Sequence, residues 1–254
     1  MLEAGTGAEL AAWQPDHVLA TASVAKLFAL VELAARLEQG LDPTTMLDRR
    51  DVALVGDSGV WQHLDVERLA VTDVAALVGA TSDNLATNVL LDLLGLERVQ
   101  ATAAGLAPGG SMLHDVVRDE RTGADPPTLS SGCARDWARL FAALDRREVV
   151  SAEVSRRVLD WTALNADLSM VAAAFGLDPL SHAAPDDGIR LWSKTGTDIG
   201  VRCEVGLVTR GDARVAYAVL CTWEDQHGPV ARQHVLHTMR EVGSQILAHL
   251  EEHG

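Results

Sequence analysis

The chain has 254 residues, 48% of them hydrophobic and 22% charged, which is enough apolar side chain to bury a sizeable core. That composition excludes wholesale disorder, a fibrous protein and a disulfide framework. Acidic residues outnumber basic ones 36 to 21, for a net charge of −15, the wrong sign for binding a phosphate backbone or an anionic lipid surface. A small-molecule partner is therefore expected, with no nucleic acid and no membrane. Cys133, Cys203 and Cys221 are too few and too widely spaced for a disulfide or metal pattern and read as buried free thiols. No window has the apolar length of a membrane span. The start, Met1 to Gly7, has no basic side chain and no apolar run, so the chain as written reads as cytoplasmic. A removed leader would make it secreted or periplasmic.

In chain order, Glu9 to Trp13 suits a strand, ended by Pro15-Asp16. Ser23 to Gln39 reads as a helix, with Val24, Leu27, Phe28, Val31, Ala34 and Leu37 at helical spacing and Gly40 as its stop. A helix starts at Val71-Thr72-Asp73, and another runs from Asn84 to Leu94 and ends at Gly95. Ser131 or Gly132 opens a fourth helix through Trp137, Leu140 and Leu144, and Ser151 caps a fifth. After Pro185 the character changes. Ile189–Ser193, Val201–Val208 and Val215–Thr222 read as strands, with a turn at Gly211-Asp212 between the last two, and Gln233–Leu250 reads as a closing helix. The expected fold is α+β: an antiparallel sheet flanked by helices and interrupted by an all-helical insertion. Residues 1–20 and 188–254 would form the sheet layer and residues 21–187 the insertion, all within one domain.

Several chemistries have no motif here. G-x-S-x-G, the Walker A loop, the dinucleotide glycine fingerprint and H-E-x-x-H are all absent. His234 and His237 share a helix face, but two ligands do not make a zinc site, so no metal and no cofactor is expected. What remains is three short motifs in one order: Ser23-Val24-Ala25-Lys26, Ser82-Asp83-Asn84 and Lys194-Thr195-Gly196. Each alone has a bland reading as a helix cap, a turn or a strand end. Together they suit nucleophilic catalysis. Ser23 and Lys26 lie one helical turn apart on one face. A neutral Lys26 could take the Ser23 proton, provided that burial and a nearby cation such as Lys194 lower its pKa. Ser82 could relay a proton to a leaving nitrogen. Asn84 could grip a substrate carbonyl or Lys26 itself. Lys194 and Thr195 would present a charge and a hydroxyl to a substrate carboxylate, and Gly196 would let a ligand approach the strand backbone. The N–H groups of Ser23 and Thr197 could form an oxyanion hole.

This arrangement resembles the serine β-lactamases and penicillin-binding proteins, and within them class A β-lactamases and related serine hydrolases. The resemblance covers nearly the whole chain and extends to Thr6-Gly7, Pro15-Asp16, the Asp51–Val60 stretch and Ser82–Leu91. It implies a β-lactamase/transpeptidase-like fold and a Ser23 acyl-enzyme. It also implies that Arg202, in Gly200-Val201-Arg202, stands beside the substrate carboxylate; the bland reading of Arg202 is a surface strand residue. Two departures stand out. The E-x-x-L-N motif, whose glutamate activates the deacylating water in class A enzymes, is absent from Ser111–Leu129. Aligning Leu113 with the family's loop leucine puts Gly110 at the glutamate's place, with Asp115, Asp119 and Glu120 nearby as substitutes or simply as solvated loop residues. The class A helix and strand that come first are also missing or incomplete, which leaves a sheet edge for a second copy to cover or a monomer to expose. The expected activity is opening of a β-lactam. The alternatives are a D-alanyl-D-alanine peptidase or esterase, a β-lactam-acylated sensor with slow deacylation, and a scaffold without catalysis.

Overall fold

In the computed structural model, residues 1–181, 184, 187–224 and 228–254 are described; Pro185, where the character of the sequence changes, lies outside them. The strands β1 (Leu2–Glu3), β7 (Ile189–Asp198), β8 (Val201–Arg210) and β9 (Ala213–Thr222) form a four-stranded antiparallel sheet in the order β1-β9-β8-β7. The two ends of the chain thus meet in one sheet. The early strand is Leu2–Glu3, paired with Ala216 and Val215; Glu9 contributes only an isolated bridge to Leu2, and residues 10–13 are irregular. The expected strand at Glu9–Trp13 fails because its backbone pairing stops at Met1, to which Leu10 and Ala11 bond, and among the described residues no strand continues beside Ala12 and Trp13, the latter 85% exposed. Because β1 is so short, Ala218–Thr222 of β9 have no strand neighbour on the β1 side among the described residues. An apolar groove of about 560 Å³ runs along that edge, lined in part by Trp13, Leu19 and Leu220.

The helices are α1 (Lys26–Glu38), α2 (Val71–Thr81), α3 (Asn84–Leu94), α4 (Leu96–Leu106), α5 (Ala134–Asp145), α6 (Ala152–Thr162) and α7 (Gly228–His253). Alternation along the strands sends one set of side chains towards α7 (Leu191, Val208, Val215, Tyr217) and the other towards the helical block (Val205, Leu207, Ala216). Two cores result, one on each face. α1 is the axis of the larger core. Leu27, Phe28, Leu30, Val31 and Leu33 are fully buried, so the helix is covered on all sides from Lys26 to Ala35 and opens to solvent only in its last turn, at Arg36 and Glu38. Each such side chain stabilises the fold by roughly 1.5–3 kcal/mol through burial. Ser151 caps α6 as expected, its Oγ accepting from Val154 N at 3.0 Å.

The segment expected to be all-helical also holds strands, and Leu19–Ala20, expected in the main sheet layer, pairs with them instead. β2 (Leu19–Ala20), β6 (Ser130–Gly132) and β5 (Met112–Leu113) form a small sheet, and β3 (Met46–Asp48) pairs with β4 (Arg68–Ala70). Strand β6 takes the residues expected to open the fourth helix, so that helix begins at Ala134 instead. The β2–β6–β5 sheet matters for function because it holds the turn before α1. Thr21 N donates to Ser130 O at 3.1 Å, and Ser130 Oγ donates to Ala22 O at 2.6 Å.

Candidate active site

The S-x-x-K segment enters α1 through a short 3-10 turn, Ala22–Ala25, with Ala22 in the left-handed region at φ 47°. A non-glycine residue there costs energy and persists only where its surroundings fix it, here by the Thr21 and Ser130 bonds. Ser23 is half-buried at the head of this turn, and its first-turn N–H is of the kind that helices leave unpaired. Lys26 follows one turn later and is fully buried. Its Nζ donates to Ser82 O at 2.6 Å and Asn84 Oδ1 at 2.7 Å and lies 3.4 Å from Ser82 Oγ. A neutral amine would spend both of its N–H groups on the two short bonds and would keep a lone pair. Burial, then the Lys194 charge, pushes the Lys26 pKa well below its ordinary value, against the pull of Asp83 and Asp57.

Ser82 ends α2 in a left-handed conformation, φ 54°, which turns its hydroxyl into the space between the two lysines. Lys194 Nζ donates to Ser82 Oγ at 2.9 Å and to Thr195 O at 2.8 Å. Burial lowers the Lys194 pKa to about 7, with Asp167 holding it up. The Lys194 charge is thus the second cause, after burial, of the lowered Lys26 pKa, an arrangement able to hold one amine neutral beside a charged one. Asp83 serves the scaffold. Its Oδ1 caps α3 by accepting from Ala86 N, and its Oδ2 accepts from Val60 N and Trp61 N. Gly59 is required beside it, since a Cβ there would come within 2.3 Å of Asp83 Cγ. Asn84 faces Lys26 with its oxygen, while its Nδ2 donates to Gly56 O at 2.9 Å and keeps one N–H for a ligand.

β7 is an edge strand that passes the Ser23 turn. Gly196 permits the crossing: a Cβ there would lie 2.1 Å from Thr21 O and 3.2 Å from Ser23 N. The structure thus adds a reason for this glycine beyond the one expected from sequence: it lets the protein's own turn approach the strand. Thr195 is buried and Thr197 is exposed at the strand edge. Arg202, the cross-strand partner of Thr197, is half-buried. Its Nη1 donates to Asp198 O and Val201 O, and its guanidinium lies 5.8 Å from the Trp223 ring centre.

The loop after β5 is fastened to α3 one turn beyond Asn84. Asn88 Nδ2 donates to Val117 O and Val117 N donates to Asn88 Oδ1, both at 2.8 Å. The loop residue bonded to the site helix is thus Val117, while Gly110 lies in the turn before β5. Neither carries a carboxylate. Asp115 is buried and saturated: Oδ1 accepts from Val116 N and Arg118, Oδ2 from Arg118 and Arg121. Asp119 Oδ1 accepts from Gly56 N, and Glu120 is exposed. His234 and His237 sit on α7, His234 exposed and His237 at its surface, as their bland reading expects. Cys133 and Cys203 are buried and Cys221 half-buried, with burial raising the Cys203 pKa to about 12. Sequence reading did not single out Asp57, Asp167, Trp223 or Arg232, because each reaches this region from a separate segment through long-range packing.

Fold and cluster together have the make-up of a serine hydrolase of the β-lactamase type. The chain belongs to the beta-lactamase enzyme family, whose pattern matches residues 1–250. A search of curated protein sequences finds no match. Among solved structures it is similar to a beta-lactamase from Sphaerobacter thermophilus, with 25% identity, TM-score 0.76, and coverage of 95% of this chain and 85% of the other. It is similar in fold to a mutant of PBP-A, described as an acyl-enzyme complex with penicillin G, with 23% identity, TM-score 0.75 and coverage of 97% and 87%. A class A beta-lactamase from Mycobacterium abscessus matches at 19% identity, TM-score 0.71, over 95% and 90% of the two chains. No helix among the described residues is long and apolar enough to cross a membrane.

Proposed function

We propose that the protein opens β-lactam amides through a Ser23 acyl-enzyme. The observation that carries this reading is one hydroxyl, Ser82 Oγ, lying 3.4 Å from Lys26 Nζ and 2.9 Å from Lys194 Nζ, with both amines fully buried. In the proposed reaction neutral Lys26 takes the Ser23 proton as Oγ attacks the carbonyl carbon. The Ser23 and Thr197 N–H groups receive the oxyanion. As the C–N bond breaks, Ser82 gives its proton to the leaving nitrogen and is reprotonated from Lys26, which restores the neutral base. Lys194, Thr195 and Arg202 hold the substrate carboxylate, and Asn84 orients Lys26. Water then attacks the ester and frees Ser23.

The second step is the slow one. Asp115 has no free lone pair directed at a substrate, and Val117 has no ionisable group, so water activation falls back on Lys26. This favours a second reading within the same chemistry: a D-alanyl-D-alanine peptidase or esterase, or a sensor that a β-lactam acylates and does not leave.

The test is intact mass after mixing with excess chromogenic β-lactam, with colour followed in parallel. Sustained colour with unmodified protein marks a β-lactamase. One equivalent of colour with a lasting adduct on Ser23 marks the second reading, and the ratio of ester to β-lactam turnover then separates peptidase or esterase from sensor. Neither colour nor adduct, or undiminished turnover by Ser23→Ala, overturns the proposal.

A further inference from the structure

Beyond Thr197 the site opens into a cleft of about 420 Å³ lined by Asp57, Thr197, Asp198, Arg202, Trp223 and Arg232, among other residues. Its charges are divided between separate segments. Arg202 projects from β8 and Arg232 from the first turns of α7, whose amide dipole adds positive potential there. After burial, the neighbouring Arg232 charge is the next cause lowering the Arg202 pKa, so two like charges share one cleft. Asp198 is already engaged, its Oδ1 accepting from Ile199 N at 2.7 Å. Among the described residues, no ion pair reaches Arg232, and none reaches Asp57.

Asp57 is an exposed side chain on a tightly held backbone. Its φ is 64°, left-handed for a non-glycine residue. Asn84 Nδ2 donates to Gly56 O, Asn84 N donates to Ser58 O, and Gln62 Nε2 donates to Asp57 O. The S-D-N segment therefore fixes the loop that carries this carboxylate. Asp57 also lies close enough to Lys26 for its charge to act on that amine. The carboxylate thus lines the arginine-bearing cleft from a loop that the site residue Asn84 holds in place.

From this placement, which rests on the function proposed above, we infer that Asp57 selects the substrate class: acyl donors with an ammonium group on the acyl side and a carboxylate on the leaving side. Arg202 and Arg232 take the anionic end and Asp57 the cationic end. A neutral acyl side chain leaves Asp57 solvated and gains nothing from it.

Boronic acids test this without depending on deacylation, because they form a reversible tetrahedral adduct on a serine nucleophile. The probes are phenylacetamidomethylboronic acid and the same compound with an ammonium on the carbon between ring and carbonyl. Their Kd values are measured by calorimetry on the full chain. The wild type binds the ammonium compound about tenfold more tightly, the scale of one charge-assisted hydrogen bond. Asp57→Asn removes that preference, Asp57→Glu retains most of it, and added salt weakens it. An equal preference in wild type and Asp57→Asn overturns the inference and leaves the Ser23 reading standing. Failure of both probes to bind overturns both.

Discussion

Two charged clusters flank α3 and have opposite electrical designs. On the Asn84 side, Lys26 and Lys194 are like charges buried together, with depressed pKa values and a serine hydroxyl between them. On the Asn88 side, Asp115 is matched by Arg118 and Arg121 at 2.7 and 2.8 Å. Burial would raise its carboxyl, but hydrogen bonds from both arginines and Val116 hold it below the usual range. The first cluster is unfavourable by itself and keeps proton-accepting and proton-donating capacity open. The second is neutralised and closed. Chemistry belongs where the fold tolerates unmatched charge, and structural support belongs where charge is matched. The sharpest way to break the comparison is to remove the base. Lys26→Met is expected to lower the rate of Ser23 acylation by about 10³-fold, within the range for a positioned general base. Lys26→Arg should do no better, because a guanidinium stays charged. Stopped-flow acylation with a chromogenic β-lactam measures both, and a variant within tenfold of wild type breaks the contrast.

A smaller effect follows from the second lysine. In the proposed reaction Lys26 must be neutral and Lys194 charged. Lys194 loses its charge as pH rises through about 7, so kcat/KM for a carboxylate-bearing substrate should fall on that alkaline limb. The acid limb belongs to Lys26, whose facing charges are Lys194, Asp83 and Asp57. Lys194→Met should abolish the alkaline limb and reduce kcat/KM about 10- to 100-fold. Because the Lys194 charge holds the Lys26 pKa down, the same substitution should move the acid limb to higher pH. A pH–rate profile with unmoved limbs would show that the two amines do not act on each other.

Much of this was legible from local pattern. α3 runs over the residues expected, Asn84–Leu94, because Asp83 caps it and Gly95 ends it, and both signals lie within the sequence of that helix. The three strands after residue 188 stand where the sequence puts them and run a few residues longer, since alternation fades where both faces are covered. Other features depend on distant partners. β1 is a strand only because β9 pairs with it, and α4 has a weak signature in sequence because glycines at its start and near its end, Gly95 and Gly105, blur the helical period. Gly196 was visible as a glycine in a motif, yet one reason for it is a turn far back in the chain, Thr21 O. Asp57 belongs to a stretch noted only for its pattern. Its placement needs Asn84, Gln62 and the far end of β7 to be in position at once.

The smallest expected effect concerns Asp115, and it is the one that sharpens the comparison most. If the loop cluster is purely structural, Asp115→Asn should cost about 1–2 kcal/mol of stability, since two arginines lose a carboxylate that is buried while they remain partly exposed. The sign of its pH dependence is fixed. The folded carboxyl is held below its ordinary value, so its stabilisation is present at neutral pH and is lost as pH falls through the folded pKa. Wild type should therefore lose stability faster than Asp115→Asn when urea unfolding is compared at neutral and strongly acidic pH. Deacylation of the Ser23 ester should be unchanged in the variant, because every Asp115 lone pair within reach is already committed to Val116, Arg118 or Arg121. A fall in deacylation larger than about threefold, with acylation intact, would transfer Asp115 from the closed cluster to the open one and make it the water-activating base.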